Sequence, residues 1–396
     1  MFNFTALPPL GLYIHFPWCV RKCPYCDFNS HEVKGDMPEL AYINALIQDL
    51  EQDLPLVWGR RINSIFIGGG TPSLLSPESL DTLLSSIRAR LAFNPGIEIT
   101  LEANPGAVDY ARFEEFYSLG VNRISIGVQS FADHCLQALG RVHNSQDAVM
   151  AIESAQKAGF NNYNIDLMFG LPGQSMTTAE NDINTAIALN PSHISYYQLT
   201  IEPNTLFYNK PPVLPVEENI YAIQQACQSR LGDSGFKQYE VSAYASENHH
   251  CVHNVNYWQF GDYLGIGAGA HAKISNASEQ NIKRYWKVKN PQDYIGKVAT
   301  SEHISGSRTL SRKEAGFEFM MNALRLTDGF ETELFTRHTG LPILVVEKQL
   351  KEAQLRGLIE WDIRKISPTI QGYQFLNDLL EQFLPDDPQI DGGRSE

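Results

Sequence analysis

The chain is poor in cysteine, short of positive charge and without a long apolar run. Its 396 residues hold six cysteines: Cys19, Cys23 and Cys26 are clustered, and Cys135, Cys227 and Cys251 are scattered. That is no disulfide framework. It suits a reducing compartment, and a cytoplasmic location is the expectation. No run of about 18 apolar residues could span a bilayer, and no basic, apolar, small-residue leader opens the chain. With 45 acidic against 31 basic residues the net charge is −14, which opposes binding to nucleic acid or anionic lipid through bulk electrostatics. Any approach to a membrane would then depend on a protein partner. No Gly-Lys-Ser/Thr follows the glycine run at 68–70, so a phosphate loop is excluded. The apolar fraction of 43% is ordinary for a globular protein, and the length allows two or three domains.

The clustered cysteines stand in Tyr13-Ile14-His15-Phe16-Pro17-Trp18-Cys19-Val20-Arg21-Lys22-Cys23-Pro24-Tyr25-Cys26, a C-x3-C-x2-C spacing directly after a short apolar strand. Three thiolates this close can hold three irons of a four-iron cluster and leave the fourth iron open to chemistry. A structural zinc site is the competing chemistry. It needs a fourth ligand, His15 or His31, and usually pairs its cysteines as C-x2-4-C. Arg21 and Lys22 either ease the thiolate charge or are simply solvated.

Short β-rich runs alternate with amphipathic helical stretches. Strands are predicted at Leu12–His15, Ile65–Ile67, Ile97–Leu101, Arg123–Val128, Tyr163–Met168 and His193–Leu199. Helices are predicted near 37–54, 78–92, 108–119, 146–158, 178–189 and 216–231, the first with an apolar face at Leu46, Leu50 and Leu54. Six βα units in series imply an α/β fold, a curved and partly open (β/α)6 barrel. The polar motifs all fall at the carboxyl ends of those strands, on one rim, where parallel α/β folds bind ligands. The predicted organisation is an arm at 1–10, the barrel at 11–245, a segment and linker at 246–307, and a helical, winged-helix-like domain at 308–384. In that last domain, helices at 311–326, 331–338 and 343–356 precede strand-like runs Ile359–Ile363 and Gly372–Phe375. A disordered tail is expected at 385–396.

The rim residues carry the candidate chemistry. Gly68-Gly69-Gly70-Thr71-Pro72 removes side chains so that backbone groups can reach a ligand, or merely turns the chain. Glu102 ends an apolar strand, where an unpaired carboxylate is costly, so it has either a bound cation or a capping role. Gln129 ends the fourth strand. Arg141, in Gly140-Arg141-Val142-His143, can grip a carboxylate bidentately. Asp166 interrupts an apolar strand, which speaks against a solvated face. Tyr13 and Tyr25 flank the cysteines and suit either a core or packing on a planar ligand.

This pattern resembles the radical S-adenosylmethionine (SAM) enzymes. Within them it is similar to the oxygen-independent coproporphyrinogen III oxidase group over nearly the whole chain. The resemblance implies a partial (β/α)6 radical SAM barrel and a [4Fe-4S] cluster on Cys19, Cys23 and Cys26. It also implies SAM, chelated on the open iron through its amine and carboxylate and cleaved on reduction to a deoxyadenosyl radical. Tyr13, Gly70, Thr71, Glu102, Gln129, Arg141 and Asp166 fall on that group's SAM contacts, serving one SAM molecule or two, and Tyr25 could pack on adenine.

The oxidase pattern has a fourth cysteine two residues after the third, and here Phe28 stands in that place. The run from Pro17 to His31 is similar instead to a sister branch of heme chaperones, which binds heme and delivers it to respiratory heme proteins. His253-Asn254-Val255-Asn256-Tyr257-Trp258 matches an HNxxYW motif of that branch. Heme would then be cargo and acceptor hemoproteins the partners. His253, Tyr257 and Trp258 are candidates for the iron and the porphyrin face, with His249, His250 and Cys251 as further ligands, unless these histidines only cap a loop. No C-x-x-C-H is present, so covalent c-type attachment is not expected. His271, in Gly267-Ala268-Gly269-Ala270-His271, reads as structural or as a support behind a ligating residue. No catalytic residue is assigned. The alternative function is oxidative decarboxylation of coproporphyrinogen III, which the shared SAM residues do not distinguish from the first.

Overall fold

The computed structural model describes residues 2–106 and 112–385. Six strands follow the predicted order: β1 (Leu10–Phe16), β2 (Arg61–Gly69), β3 (Ala92–Ala103), β4 (Arg123–Gln129), β5 (Tyr163–Phe169) and β6 (His193–Gln198). Each pairs in parallel with the next. Their runs are apolar because helices cover the outer face: α1 (Glu39–Asp53), α2 (Pro77–Arg90), α3 (Ser145–Lys157), α4 (Met176–Ala188) and α5 (Glu217–Asp233). Local chemistry sets the helix starts. The Ser76 hydroxyl accepts from the Ser79 N–H ahead of Pro77, and Asn144 and Asp147 form a reciprocal capping box. One continuous apolar core joins strands and helices, including Leu12, Ile65, Leu101, Ile126, Leu83 and Ile183.

The sheet is larger than six strands. Beyond β6 lie β7 (Lys237–Glu240) and β8 (Ala243–Ala245), both antiparallel. A short helix, α6 (Val252–Trp258), follows. Then β9 (Asp262–Ile266) returns to the opposite edge and pairs in parallel with β1. Three antiparallel strands continue from it: β10 (His271–Asn276), β11 (Asn281–Lys287) and β12 (Ile304–Thr309). The full order is β12-β11-β10-β9-β1-β2-β3-β4-β5-β6-β8-β7, so the partial barrel stays open at β12 and β7.

Two expectations are corrected here. The stretch after 275, through Pro291 to about Arg308, is no linker; it already holds β11. It forms a helix at Pro291–Lys297 and then β12, whose residues are nearly all exposed and so show no apolar alternation in sequence. Gly372–Phe375 is not a strand. Helix Ile370–Gln374 starts there, with the Thr369 hydroxyl accepting from the Gly372 N–H, and the strand of the wing is Lys365–Pro368 instead.

The C-terminal region combines α7 (Arg312–Ala323), α8 (Thr332–Thr339) and α9 (Glu347–Leu355) with a sheet of Phe330–Glu331, Lys365–Pro368 and Ile359–Trp361. It has its own core around Phe319, Phe335 and Ile366, into which Phe4 of the N-terminal arm also packs. Of the tail expected to be disordered, residues 386–396 lie outside the described residues, as do 108–111 of the predicted helix at 108–119.

Candidate functional site: a thiol rim above a closed floor

The carboxyl end of β1 runs into a two-residue bridge, Trp18–Cys19, paired with His31–Glu32, and the loop between them holds all three clustered thiols. Cys26 N–H bonds the Cys23 carbonyl at 3.1 Å, and Cys26 Sγ lies 3.6 Å from Ser30 Oγ. All six cysteines are free, and the clustered three are half-buried. Burial raises the pKa of Cys19 and Cys26, and the neighbouring thiols raise both further. Arg141 Nη1 lies 3.5 Å from Cys23 Sγ, while Nη2 is held by Asn104 Oδ1 at 2.5 Å and the Gly127 carbonyl at 2.7 Å. Among the described residues no three His, Cys, Asp or Glu side chains close on a single metal ion. Three thiols spread along one loop beside a cation suit a cluster, in which each thiolate meets a different iron.

The glycine run splices β2 to this loop. Gly70 N–H bonds the Phe16 carbonyl and Thr71 N–H the Trp18 carbonyl, each at 2.7 Å. A Cβ on Gly70 would sit 2.4 Å from the Trp18 carbonyl oxygen, and on Gly69, whose φ is 112°, 2.5 Å from the His15 ring. No side chain fits at either place. The Thr71 hydroxyl is buried against Cys19 and has no hydrogen-bond partner beyond that thiol.

Glu102, at the end of β3, accepts the Gly69 N–H at 3.1 Å. Burial and the nearby Asp166 push its carboxyl up to about 7, so it lacks a full cationic partner. Asp166 accepts from Ser125 Oγ at 3.1 Å and from Asn164 Nδ2 at 2.7 Å, and burial raises its carboxyl as well. Gln129 has a φ of 72° beside a register shift in β4, a left-handed backbone at a non-glycine residue that a functional site can sustain. Tyr25 packs near Phe207 and faces Arg141.

These residues line one cavity of about 510 Å³, where Cys19, Cys23, Cys26, Gly70, Thr71, Glu102, Gln129, Arg141 and Asp166 meet. The donor set fits the group implied by the resemblance. Two buried carboxyls that share only the charge of Arg123, itself beside Glu98, suit an amine and a sulfonium, and a guanidinium among the thiols suits a carboxylate. Tyr13 does not join them. Its hydroxyl lies 2.9 Å from His15 Nδ1 and it lines a second, adjoining cavity. Asn104, Ser125 and Asn164 escape the sequence reading. Asn104 signals itself only as a polar residue just past a strand, and Ser125 and Asn164 only as small polar residues within apolar strands, patterns that many structural positions share.

The HNxxYW helix, α6, packs against β1 and β2 and beside Glu98 of β3, below the thiol loop, with Asn254 reaching the first cavity. The Glu98 carboxylate, midway along β3, accepts the N–H groups of Val252 and His253, each at 3.1 Å. His253 is only 1% exposed, its Nδ1 is 2.9 Å from Ser64 Oγ, and burial and Arg123 lower its pKa to about 3. Asn256 donates to the Asp262 carbonyl at 2.9 Å. Tyr257 packs edge-on against His253 and Tyr263 and borders the second cavity. Trp258 lies under the Arg325 guanidinium at 4.2 Å. Cys251 is buried, with its thiol pushed up to about 12 by desolvation. His249 bonds Ser246 Oγ and the Glu247 carbonyl, and His250 stacks on Tyr239 at 4.1 Å. The heme candidates are therefore not gathered in one place: Tyr257 borders a cavity, and His253 and Trp258 face other side chains.

Comparison with known proteins agrees with both halves of the chain. Residues 13–186 match the radical SAM superfamily and residues 310–375 the HemN C-terminal domain. The chain is 46% identical over 385 residues to the heme chaperone HemW of Escherichia coli, covering 96% of this chain and 99% of that one. It is 34% identical over 378 residues to heme chaperone HemW of Bacillus subtilis, covering 94% and 98%. Among solved structures, the E. coli coproporphyrinogen III oxidase HemN superposes with a TM-score of 0.81 at 22% identity, covering 95% of this chain and 90% of that one. That last likeness concerns the fold.

Proposed function

This chain belongs to the heme chaperone HemW family of radical SAM proteins, and from that premise we propose that it binds heme and passes it to acceptor hemoproteins in the cytoplasm. The observation that carries the chaperone reading over the oxidase reading is Phe28. It stands where the oxidase pattern has its fourth thiol, is 59% exposed, and borders both cavities. A side chain there offers an apolar face and no ligand.

In this reading Cys19, Cys23 and Cys26 hold a [4Fe-4S] cluster, which with SAM bound supplies reductive cleavage chemistry. Glu102 faces the amine and sulfonium, Arg141 the carboxylate, and Gly70 and Thr71 leave room for the methionine end. Gln129, Asp166 and Tyr25 border the rest of SAM, and Tyr13 is a contact from the second cavity. Residues 308–384 form an accessory domain. Among the described residues no helix is long and apolar enough to cross a membrane, and no cysteine is paired, which supports a reducing location.

The test uses anaerobically reconstituted protein in two parallel assays. One titrates ferric heme; the other adds SAM, reductant and coproporphyrinogen III and reads the tetrapyrroles by mass spectrometry. Saturable heme uptake without decarboxylated product, and transfer from the loaded protein to an apo-hemoprotein, is expected. Formation of protoporphyrinogen IX would overturn the chaperone reading and make Phe28 a tolerated substitution in an oxidase.

A further inference from the structure

A second cavity of about 570 Å³ adjoins the first across Cys26, Phe28 and Glu102. Resting on the reading of this chain as a heme carrier, we infer that this cavity receives the heme and that His271 ligates its iron.

The argument begins with the histidines. The chain has 11, and most have ring nitrogens engaged by the protein. His15 bonds Tyr13 and the Asn29 carbonyl, His253 bonds Ser64, and His303 bonds Asp49. Among the described residues His250 and His271 alone have no ring hydrogen bond. His250 stacks on Tyr239, away from both cavities. His271 borders the second cavity, and its ring rests on Trp286, centroids 6.1 Å apart at 23°. Partial desolvation, and then the charges of Arg284 and Lys289, lower its pKa. The ring is therefore neutral at physiological pH, with a nitrogen lone pair free for a metal.

The backbone delivers this imidazole to the cluster loop. The turn after β9 contains Gly267 and Gly269 at φ of 107° and 79°, and a Cβ on Gly269 would lie 2.5 Å from Asn29 Nδ2. Asn29, three residues after Cys26, donates to the carbonyls of Ala268 and Lys289 at 2.9 and 2.8 Å. The walls match a porphyrin dicarboxylate. Phe28, Tyr257 and Tyr263 offer aromatic surface. Lys22 and Lys289, both exposed, place two cations at the mouth of a chain that is acidic overall, where propionates can meet them. Asp27 and Glu102 also border the cavity and would repel those carboxylates, which directs the propionates to the lysine side.

The experiment titrates full-length, cluster-reconstituted protein with ferric heme under anaerobic conditions, recording Soret absorbance and low-temperature EPR. It compares wild type, His271→Ala, His271→Cys, His253→Ala and the Lys22→Ala/Lys289→Ala pair. His271→Ala is expected to raise Kd by at least the ~10- to 100-fold that loss of even an outer partner of a metal ligand produces. Added imidazole should restore the wild-type spectrum, with iron and sulfide content unchanged. His271→Cys should give a thiolate-ligated Soret band, which occurs only if position 271 touches the iron, so the inference stays testable should the alanine variant fold poorly. The double lysine variant should bind more weakly, most visibly at low salt. Wild-type spectrum and affinity in both His271 variants would overturn the inference. If His253→Ala then lost the spectrum, the ligand would be the floor histidine and the heme-carrier reading would stand. A wild-type protein that takes up no heme overturns both.

Discussion

The rim and the floor of this barrel carry equally conspicuous motifs, and the structure treats them in opposite ways. On the rim, the cysteines are half-buried, Thr71 is buried with no partner beyond the Cys19 thiol, and Glu102 and Asp166 share only the more distant charge of Arg123, which Glu98 also engages. On the floor, most of the HNxxYW helix is tied down by the protein: its backbone to Glu98, His253 Nδ1 to Ser64, Asn256 to the Asp262 carbonyl, and the Trp258 ring to Arg325, while His253 Nε2 and Trp258 Nε1 stay buried and unpaired and Asn254 borders the first cavity. Polar groups gathered around a cavity and left incomplete there suit a ligand, whereas polar groups enclosed by packed side chains chiefly hold the fold. A motif of unusual residues can thus be chemistry or architecture, and the distinction lies in what its members touch.

This contrast is broken most severely at the cysteines. Cys19→Ala, Cys23→Ala or Cys26→Ala should each abolish the cluster after anaerobic reconstitution while the chain still folds. A variant retaining wild-type iron and absorbance would remove that thiol from the ligand set. On the floor, Glu98→Ala should destabilise the fold and spare the cluster. Glu98 lies 4.0 Å from the buried Arg123 and accepts two helix N–H groups, so its loss should cost about 3–5 kcal/mol, seen as a lower denaturant midpoint. An unchanged midpoint would mean that α6 does not depend on that carboxylate.

Glu102→Gln should do the reverse, leaving stability nearly intact and weakening SAM binding by about 1.5–3 kcal/mol, the worth of a charge-assisted hydrogen bond. Its pH dependence is specific. The carboxyl titrates near 7 in the free protein, above its ordinary value, so below that pH a cationic ligand must first displace a proton. Affinity should fall by up to about tenfold per unit as pH drops below 7, and Glu102→Gln should flatten that slope. Calorimetry across pH 5.5–8.5, taken as a span of about three units around that titration, decides it; parallel slopes in both proteins would exclude Glu102 as the cation's partner. The smallest effect is expected from Ser64→Ala, which leaves both His253 nitrogens buried and unpaired at a cost of about 1 kcal/mol, with cluster and SAM affinity unchanged. A loss of SAM affinity there would mean that the floor and the rim are coupled.

The rim was legible in the sequence because its parts are local. Three thiols within one loop, glycines directly after β2 and carboxylates at strand ends all declare themselves against apolar neighbours. The βα alternation was legible for the same reason, since each strand and helix carries its own period. The seventh parallel strand, β9, was not. It follows a polar, aromatic segment and pairs with β1, and its position depends on a partner some 250 residues earlier, Leu10 opposite Asp262. The strand β12 was hidden by its exposure, and the wing by a helix at Ile370–Gln374 that shows no clear period.

By itself the sequence determined the parallel barrel, the thiol loop and the side of the sheet where ligands bind, because these follow from spacing and periodicity along neighbouring residues. Only the tertiary structure decided that His253 is enclosed, that His271 stands open, and that Asn29 ties the cluster loop to residues 268 and 289. Those outcomes come from contacts between distant segments, made when a shared core and buried hydrogen bonds bring them together, and no local pattern encodes them.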